Sequence, residues 1–182
     1  MDNGASSYRR YLEGDQDAFD EIMKDYFDRV IFFINRYVND VNVAEDLAID
    51  VFADLIIHRN RYNFSVSLNT YLCMLGRSRA LNYLRRKKLI RVTALDDACD
   101  IHDSEALEEQ VIKDERSKML HKAISELPSD MKAAVHLTYF EGMSYKECAF
   151  AMKKTVKQID NLLFRAKKEL GKSLSEGWSD EI

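Results

Sequence analysis

Helix-breaking residues are scarce in this sequence. It contains one proline and six glycines among 182 residues, and it has no alternating run of apolar and polar residues of the kind that forms a half-buried strand. Apolar residues instead recur every three or four positions, which places them along one face of an α-helix. The sequence therefore predicts an all-α fold.

Two core-forming helices are predicted before residue 60. The first follows the turn at Gly14–Asp17, and its apolar stripe is rich in aromatic residues. We interpret that stripe as core packing and not as a ligand pocket, because no polar recognition groups accompany it. The second helix opens at Asn42, which forms with Glu45 a pair that resembles a capping box. The side chains expected to face inward from this second helix are Leu47, Val51 and Leu55.

The opposite face of the second helix carries an acidic row. Asp46, Asp50 and Asp54 recur every four residues, so they lie above one another, with Ile49 and Ala53 beside them. Like charges at this spacing repel, and the row therefore indicates a face that meets a basic partner; a plain solvated face would give the same pattern. A metal site is not indicated, because carboxylates in a straight row do not converge on one ion.

A strongly basic stretch follows. From Leu55 to Leu95 the chain contains repeated arginines and lysines and no aspartate or glutamate. Its second half, Ser67–Lys88, is predicted to form one helix with Ser67 as the N-cap. One face of this helix is suited to packing and the other to a polyanion. The residues of the second face are Met74, Arg77, Ser78, Leu81, Asn82, Arg85 and Lys88.

This mixed face suits a nucleic-acid strand. Arginine and lysine neutralise phosphates, while asparagine and serine bond to base edges. The basic block is equally consistent with a solvated face, or with cations that complement the end of the helix dipole. Because the chain has a net charge of -4, any contact with nucleic acid has to come from local patches and not from a global field.

Acidic residues accumulate after Arg91, with almost no apolar pattern before Leu107. A segment of this composition buries too little surface to offset its chain entropy, so we predict a flexible linker between two small helical domains. The predicted divisions are a first helical domain at 1–91, an acidic linker at 92–115, a second helical domain at 116–174 and a tail at 175–182.

The second predicted domain contains two capping boxes close together. Ser144–Glu147 opens a short helix, and Thr155–Gln158 opens a longer one after a tight turn. This arrangement is typical of a helix-turn-helix, whose second helix enters the major groove by its N-terminal part, although a plain three-helix bundle has a similar pattern. The residues expected to face outward from the second helix are Lys157, Asn161, Phe164, Arg165 and Lys168.

The sequence offers no pattern for catalysis, metal binding or membrane insertion. Without a glycine-rich phosphate loop or a spaced catalytic pair, we expect no enzyme, no cofactor and no small-molecule substrate. Three separated cysteines favour a reducing cytoplasm, and Cys99 and His102 alone do not make a zinc site. The longest apolar run, Val30–Ile34, is too short to cross a bilayer, and no signal-peptide pattern is present.

Three of these stretches, in this order, resemble the extracytoplasmic-function (ECF) group of bacterial RNA polymerase sigma factors. Ala44–Phe52 is similar to that family's clamp-binding helix, Tyr71–Arg86 to its promoter-melting helix, and Gly142–Ala149 to the opening of its helix-turn-helix. The resemblance covers nearly the whole chain. It implies a protein that binds core RNA polymerase and directs promoter recognition, DNA melting and transcription initiation. The alternative is a stand-alone helix-turn-helix regulator.

The resemblance also implies roles for individual residues. Those assigned to the β′ clamp of the polymerase are Asp46, Ile49, Asp50 and Phe52. Those assigned to the minus-ten element are Asn63, Phe64, Arg77, Ser78, Asn82, Arg85 and Arg86, with the loop Asn63–Ser67 receiving a flipped base. Those assigned to the minus-thirty-five element are Lys157, Asn161, Phe164 and Arg165. The further partners implied are the β flap of the polymerase and a cognate anti-sigma factor.

The helix-turn-helix departs from the family pattern at its turn and on its second helix. Lys153 stands where the family usually has a glycine, so we expect either a strained backbone at Lys153 or a different turn. Asp160 and Leu162 stand where basic residues are frequent in the family.

Overall fold

The computed structural model describes residues 4–93 and 115–179. All regular secondary structure in these two ranges is helical, which confirms the predicted all-α class. The elements of the first unit are α1 (Ala5–Leu12), α2 (Asp17–Val38), α3 (Val41–Ile57), a single 3-10 turn (Arg59–Arg61) and α4 (Leu68–Thr93). The elements of the second unit are α5 (Glu115–Ser125), α6 (Ser129–Val135), a π-helical continuation of α6 (His136–Phe140), α7 (Tyr145–Met152) and α8 (Val156–Ser179).

α2 is the central helix of the first unit and packs against α1, α3 and α4. It approaches α4 closely at Gly76, where an added Cβ would lie 3.1 Å from Cγ1 of Ile34. The predicted apolar stripe forms the core. Its buried members are Ile22, Tyr26, Val30, Phe33, Ile34 and Tyr37.

α3 begins earlier than the sequence pattern predicts. Its N-cap is Asp40, whose Oδ1 accepts hydrogen bonds from the backbone N of Asn42 at 3.1 Å and of Val43 at 3.2 Å. The expected cap at Asn42 is therefore wrong. The physical reason lies in the residue that follows α2. Asn39 has a left-handed conformation, φ 51°, which turns the chain so that the carboxylate of Asp40 lies over the first turn of the next helix.

α1 is a short helix that the sequence pattern does not predict, because two turns carry too weak a periodicity. Tyr8 fixes it to the rest of the unit. This side chain is 0% exposed, its hydroxyl donates to the backbone O of Arg59 at 2.8 Å, and its ring meets that of Tyr62 edge-on at 5.3 Å. α1 is thus held by tertiary contacts with the 3-10 turn and the residue that follows it.

The second unit packs α5, α6 and α7 against α8. Before Gly142 the helix widens, because the backbone N of Glu141 donates to the O of His136, five residues earlier. Gly142, with φ 64°, then ends the helix. The large fully buried side chains of this unit are Leu137, Met152, Ile159 and Leu163.

The predicted linker falls mostly outside the described residues, as do Cys99 and His102. Val92 and Thr93 still belong to α4, and Glu115 begins α5. The proposed domain boundaries stay predictions. Within the two described ranges, no helix is long and apolar enough to cross a membrane. The same ranges contain no cluster of three or more His, Cys, Asp or Glu side chains placed to hold a metal ion.

Candidate nucleic-acid and partner interfaces

The outer face of α3 carries two exposed carboxylates around an apolar side chain. Asp46 and Asp50 are exposed, and Ile49 between them is 52% exposed. Ile56 and Ile57 add apolar surface at the end of the helix. Carboxylates beside uncovered isoleucines form a surface suited to a basic partner that also offers apolar contact.

Asp54 does not belong to this exposed row. Its side chain is 14% exposed, and its carboxylate lies 3.4 Å from Nη2 of Arg79, 3.6 Å from Nη1 of Arg61 and 3.8 Å from Nε2 of His58. The expectation of three stacked exposed carboxylates is therefore wrong at this position. α4 packs against α3 and brings the basic stretch onto Asp54, so this carboxylate is an internal link of the first unit.

Phe52 lies behind the acidic face and not on it. It is 3% exposed, and its ring meets that of Phe27 at a centroid distance of 5.6 Å. The helical period explains the placement, because position 52 follows Ala48 by four residues and precedes Leu55 by three, and both of these are buried. Phe52 supports α3 from within, so a partner on the outer face does not reach it in this arrangement.

The loop between the 3-10 turn and α4 is held by its own hydrogen bonds. The hydroxyl of Tyr62 donates to the backbone O of Val66 at 2.7 Å, and Oδ1 of Asn63 accepts from the backbone N of Ser65 at 3.1 Å. Phe64 between them has a φ of 60°, a left-handed conformation that is uncommon for an aromatic residue. The loop therefore has one defined shape, with Asn63 at its surface.

Aromatic rings and one guanidinium surround Phe64. Its ring centroid lies 4.7 Å from that of Tyr62 and 6.1 Å from that of Tyr8. Cζ of Arg9, on α1, lies 4.9 Å from the Phe64 centroid. No sequence pattern links α1 to a loop more than fifty residues later, so neither Arg9 nor Tyr8 is predicted to lie here; only the fold brings them together.

The C-terminal half of α4 is the open part of the basic stretch. Asn82, Arg85 and Arg86 are all exposed, as are the residues that follow them to 90. Nη1 of Arg85 lies 3.5 Å from Oδ1 of Asn82, so an amide and a guanidinium form one polar surface a single helical turn long. A surface of this kind offers both a cation for phosphate and an amide for a base edge.

The N-terminal half of α4 is less accessible. Ser78 and Arg77 are half-buried, and Nε of Arg77 is fully enclosed. Arg77 lies beside Tyr37 of α2. Burial raises the pKa of Tyr37 above its ordinary value, although the neighbouring guanidinium acts in the opposite direction. Asp130 of α6 acts on the same tyrosine. In this arrangement Arg77 is thus directed into the contact between α2, α4 and the second unit.

The second unit covers this half of α4, with α7 along α4 and α6 against α2. Glu141 is the polar centre of the contact. Its carboxylate is 7% exposed, accepts a hydrogen bond from Nδ2 of Asn69 at 2.8 Å, and lies 3.6 Å from Nη1 of Arg29 and 3.5 Å from Nε2 of His136. Burial raises the pKa of Glu141, but the neighbouring His136, the hydrogen bond from Asn69 and the charge of Arg29 outweigh that effect, so the pKa lies below its ordinary value. A lone acidic residue at a helix end gives no sequence signal for such a role.

Both capping boxes of the helix-turn-helix are formed. Ser144 and Glu147 exchange side-chain-to-backbone hydrogen bonds at 2.9 and 3.3 Å, and Thr155 and Gln158 do so at 2.8 and 3.2 Å. Lys153, between the two helices, has φ 50° and ψ 48°, which confirms the expected strained backbone at the position of the usual glycine.

The outer face of α8 is mostly polar and carries two exposed apolar side chains, Val156 at 44% and Phe164. Lys157, Asn161 and Arg165 are exposed, and Phe164 is 69% exposed. Asp160 is also exposed, so one negative charge lies on the same part of the helix. The opposite face packs into the core of the unit through Ile159, Leu163 and Ala166.

Two family models match this chain. Sigma-70 region 2 matches residues 22–90, which include most of α2, all of α3 and most of α4. Sigma-70, region 4 matches residues 117–170, which include most of α5, α6 and α7 and the greater part of α8. The two matches coincide with the two structural units.

Curated relatives match over almost the entire chain. The RNA polymerase sigma-H factor of Pseudomonas aeruginosa is 29% identical over 174 residues, which cover 91% of this chain and 90% of that protein. The ECF RNA polymerase sigma factor SigM of Bacillus subtilis is 29% identical over 164 residues, which cover 90% of this chain and 99% of that protein.

Solved structures share the fold. The sigma factor RpoE from Bartonella quintana, crystallised with the anti-sigma factor NepR, superposes with a TM-score of 0.66 at 19% identity and covers 86% of this chain and 96% of its own. CnrH, solved in complex with the cytosolic domain of CnrY, gives a TM-score of 0.61 at 16% identity and covers 96% of both chains. Because region 2 and region 4 match in this order, and ECF sigma factors match over almost the whole chain, the chain belongs to the ECF group of bacterial RNA polymerase sigma factors.

Proposed function

We propose that this chain binds core RNA polymerase and directs it to promoters, where it assists DNA melting and initiates transcription. The observation that carries the proposal is the presence of separate acidic and basic surfaces on one unit, followed by a helix-turn-helix on the other. A stand-alone regulator would need only the helix-turn-helix. The chemistry of RNA synthesis belongs to the polymerase, so this chain contributes no catalytic residue, and it acts in the cytoplasm.

The polymerase contact is proposed on the outer face of α3. Asp46, Ile49 and Asp50 are uncovered there, and carboxylates that repel one another along a helix are relieved by a basic partner surface such as the β′ clamp. Phe52 contributes from behind, by holding the helix against α2. The second unit is proposed to meet the β flap.

The minus-ten contact is proposed on the loop and on the open end of α4. Asn63 and Phe64 lie on the loop, and Asn82, Arg85 and Arg86 form the exposed cationic surface. Melted DNA needs cations along its backbone and groups that capture unstacked bases. Ser78 and Arg77 are half-buried here, and Nε of Arg77 is enclosed, so their full contribution requires a rearrangement around this half of α4.

The minus-thirty-five contact is proposed on the outer face of α8. Lys157, Asn161, Phe164 and Arg165 are exposed near the start of the second helix of the helix-turn-helix, where such helices meet base edges in the major groove. An amide and a guanidinium provide hydrogen bonds to bases, while the lysine provides a phosphate contact.

An anti-sigma factor is proposed as a further partner. RpoE and CnrH, which share this fold across both units, were each solved with a partner protein, NepR and CnrY respectively. The exposed side chains of Tyr139, which lies beside Lys167 of α8, and Phe140 offer apolar surface to a partner of this kind.

Run-off transcription with purified core polymerase tests the proposed function. Adding the full-length chain should produce specific transcripts from a subset of genomic fragments, and core polymerase alone should not. A chain that binds promoter fragments without core polymerase, and that yields no transcript with it, would instead support the stand-alone regulator.

A further inference from the structure

Arg9 differs from the arginine that follows it on α1. Arg10 is engaged on its own unit, because its guanidinium lies 2.6 Å from Asp15 and 3.0 Å from Glu21. Arg9 is exposed, and its guanidinium lies over the ring of Phe64, 4.9 Å from Cζ to the centroid. No carboxylate in the described part of the chain forms an ion pair with Arg9. One of two adjacent arginines therefore keeps its charge available beside the loop.

The backbone of Arg9 is held in place beside the loop by the residue that precedes it. The neighbouring Tyr8 is 0% exposed and anchors α1 through its hydroxyl, which donates to the backbone O of Arg59 at 2.8 Å. Phe64, on which the guanidinium lies, is held by Tyr62 and by the hydrogen bonds of the loop. A guanidinium on an aromatic ring loses less freedom on binding, because its plane is already oriented.

The chemistry of this pair fits a nucleotide of single-stranded DNA. The guanidinium plane provides a stacking surface for an unpaired base, and its charge provides a contact for the adjacent phosphodiester. The loop residues next to it supply the amide of Asn63 at the surface but no cation. The open end of α4 supplies cations, yet these lie on a different element.

We propose that Arg9, seated on Phe64, is a further binding residue for the melted promoter strand and contacts the nucleotide taken up by the loop Asn63–Ser67. This inference rests on the proposed function of that loop. It adds α1 to the DNA-binding surface and gives the cation–π pair a role as a platform. The ligand it takes is an unstacked base together with its phosphodiester.

The test measures how holoenzyme binding to a promoter with a pre-melted minus-ten region depends on salt. Arg9→Gln should weaken binding about fivefold or more, and should reduce the slope of log K against log salt by about 0.7, the value for one phosphate contact on a single strand. The matched control is Arg10→Gln, which removes the same charge from the next residue of the same helix and should leave both quantities unchanged. A role confined to shaping the loop would lower affinity without changing the slope, and that result would overturn the proposal.

A second variant separates this inference from the proposed function. Arg85→Gln, on the open end of α4, should reduce the slope in the same assay. If Arg85→Gln has this effect and Arg9→Gln has none, the proposal for Arg9 is overturned while the proposed function stands. If neither variant changes the slope, the strand-binding surface itself is wrong. Equal effects of Arg9→Gln and Arg10→Gln would reveal a general charge effect and would also overturn the proposal.

Discussion

Replacing Glu141 with alanine should loosen the contact between the two units. The carboxylate is 7% exposed and has partners on both units, with Asn69 and Arg29 on the first and His136 on the second. Removing it leaves these groups facing a site that no longer offers an acceptor. The units should then separate more often, and the covered half of α4 should become accessible.

The magnitude follows from the exposure of each partner. The side chain of Arg29 is 54% exposed and can regain water, so the loss of its ion pair costs at most about 1 kcal/mol. The half-buried amide of Asn69 loses an acceptor at 2.8 Å, and an unmet buried donor costs about 1–3 kcal/mol. We expect a total of about 2 kcal/mol, which corresponds to roughly a 30-fold shift toward separated units.

Cys73 reports on this change. This residue is 1% exposed, and burial raises the pKa of its thiol; Glu141 and Cys148 of the second unit lie near enough to raise that pKa further. Maleimide labelling of Cys73, followed by mass spectrometry of the peptide that contains it, should become up to about 30-fold faster in the Glu141→Ala variant. The radius of gyration should be measured in parallel, because loss of the Glu141 charge alone also lowers the pKa of the thiol.

The control is Glu126→Ala, which removes an exposed carboxylate from the same unit. It should change neither the labelling rate nor the radius. If Glu141→Ala retains its helical circular dichroism, keeps the wild-type radius and labels at the wild-type rate, the reasoning that Glu141 holds the two units together is refuted.

Other predictions concern separate parts of the chain. Asp46→Lys combined with Asp50→Lys should prevent co-elution with core polymerase at moderate salt. Asp28→Lys, on the exposed side of α2, should not. Retained co-elution of the double variant would reject the outer face of α3 as the polymerase contact. Lys153→Gly should stabilise the protein by about 0.5–1 kcal/mol in urea unfolding, because glycine adopts φ 50° without strain; a loss of stability would contradict this. The pKa of Glu141 is lowered from 4.5, so the carboxylate stabilises the contact above pH 4.5 and loses this effect as the pH falls through the lowered pKa. The difference in radius of gyration between wild type and Glu141→Gln should therefore vanish in acid. A difference that persists in acid would argue against a role for the Glu141 charge.

Features that depend on neighbouring residues in sequence could be predicted from the sequence alone. The capping boxes at Ser144 and Thr155 need only a three-residue spacing, and both are formed. The exposure of Asp46, Asp50 and the outer residues of α8 follows from the helical period once the apolar face is known. The left-handed backbone at Lys153 follows from the turn that the two helices require.

Features that depend on which helices become neighbours could not be predicted in this way. Asp54 shares the period of Asp46 and Asp50, yet the crossing of α4 turns it into an internal ion-pair partner of Arg79. The placement of Arg77 depends on a second unit whose position no local pattern encodes. Arg9 reaches Phe64 only because Tyr8 anchors α1 to the 3-10 turn.

The central claim is that the open end of α4 handles melted DNA while α8 reads intact duplex. It is tested most directly by comparing open-complex formation on a duplex promoter and on the same promoter with a pre-melted bubble. Asn82→Ala and Arg85→Ala should cripple opening of the duplex, and the bubble should restore much of the activity because it supplies the strand separation. Asn161→Ala and Arg165→Ala should each weaken recruitment by about 1–3 kcal/mol, the value of a hydrogen-bonded pairing with a base edge, and the bubble should not restore it. Normal permanganate reactivity of the duplex promoter with the Asn82 and Arg85 variants would contradict the claim and leave the basic stretch a solvated helix end.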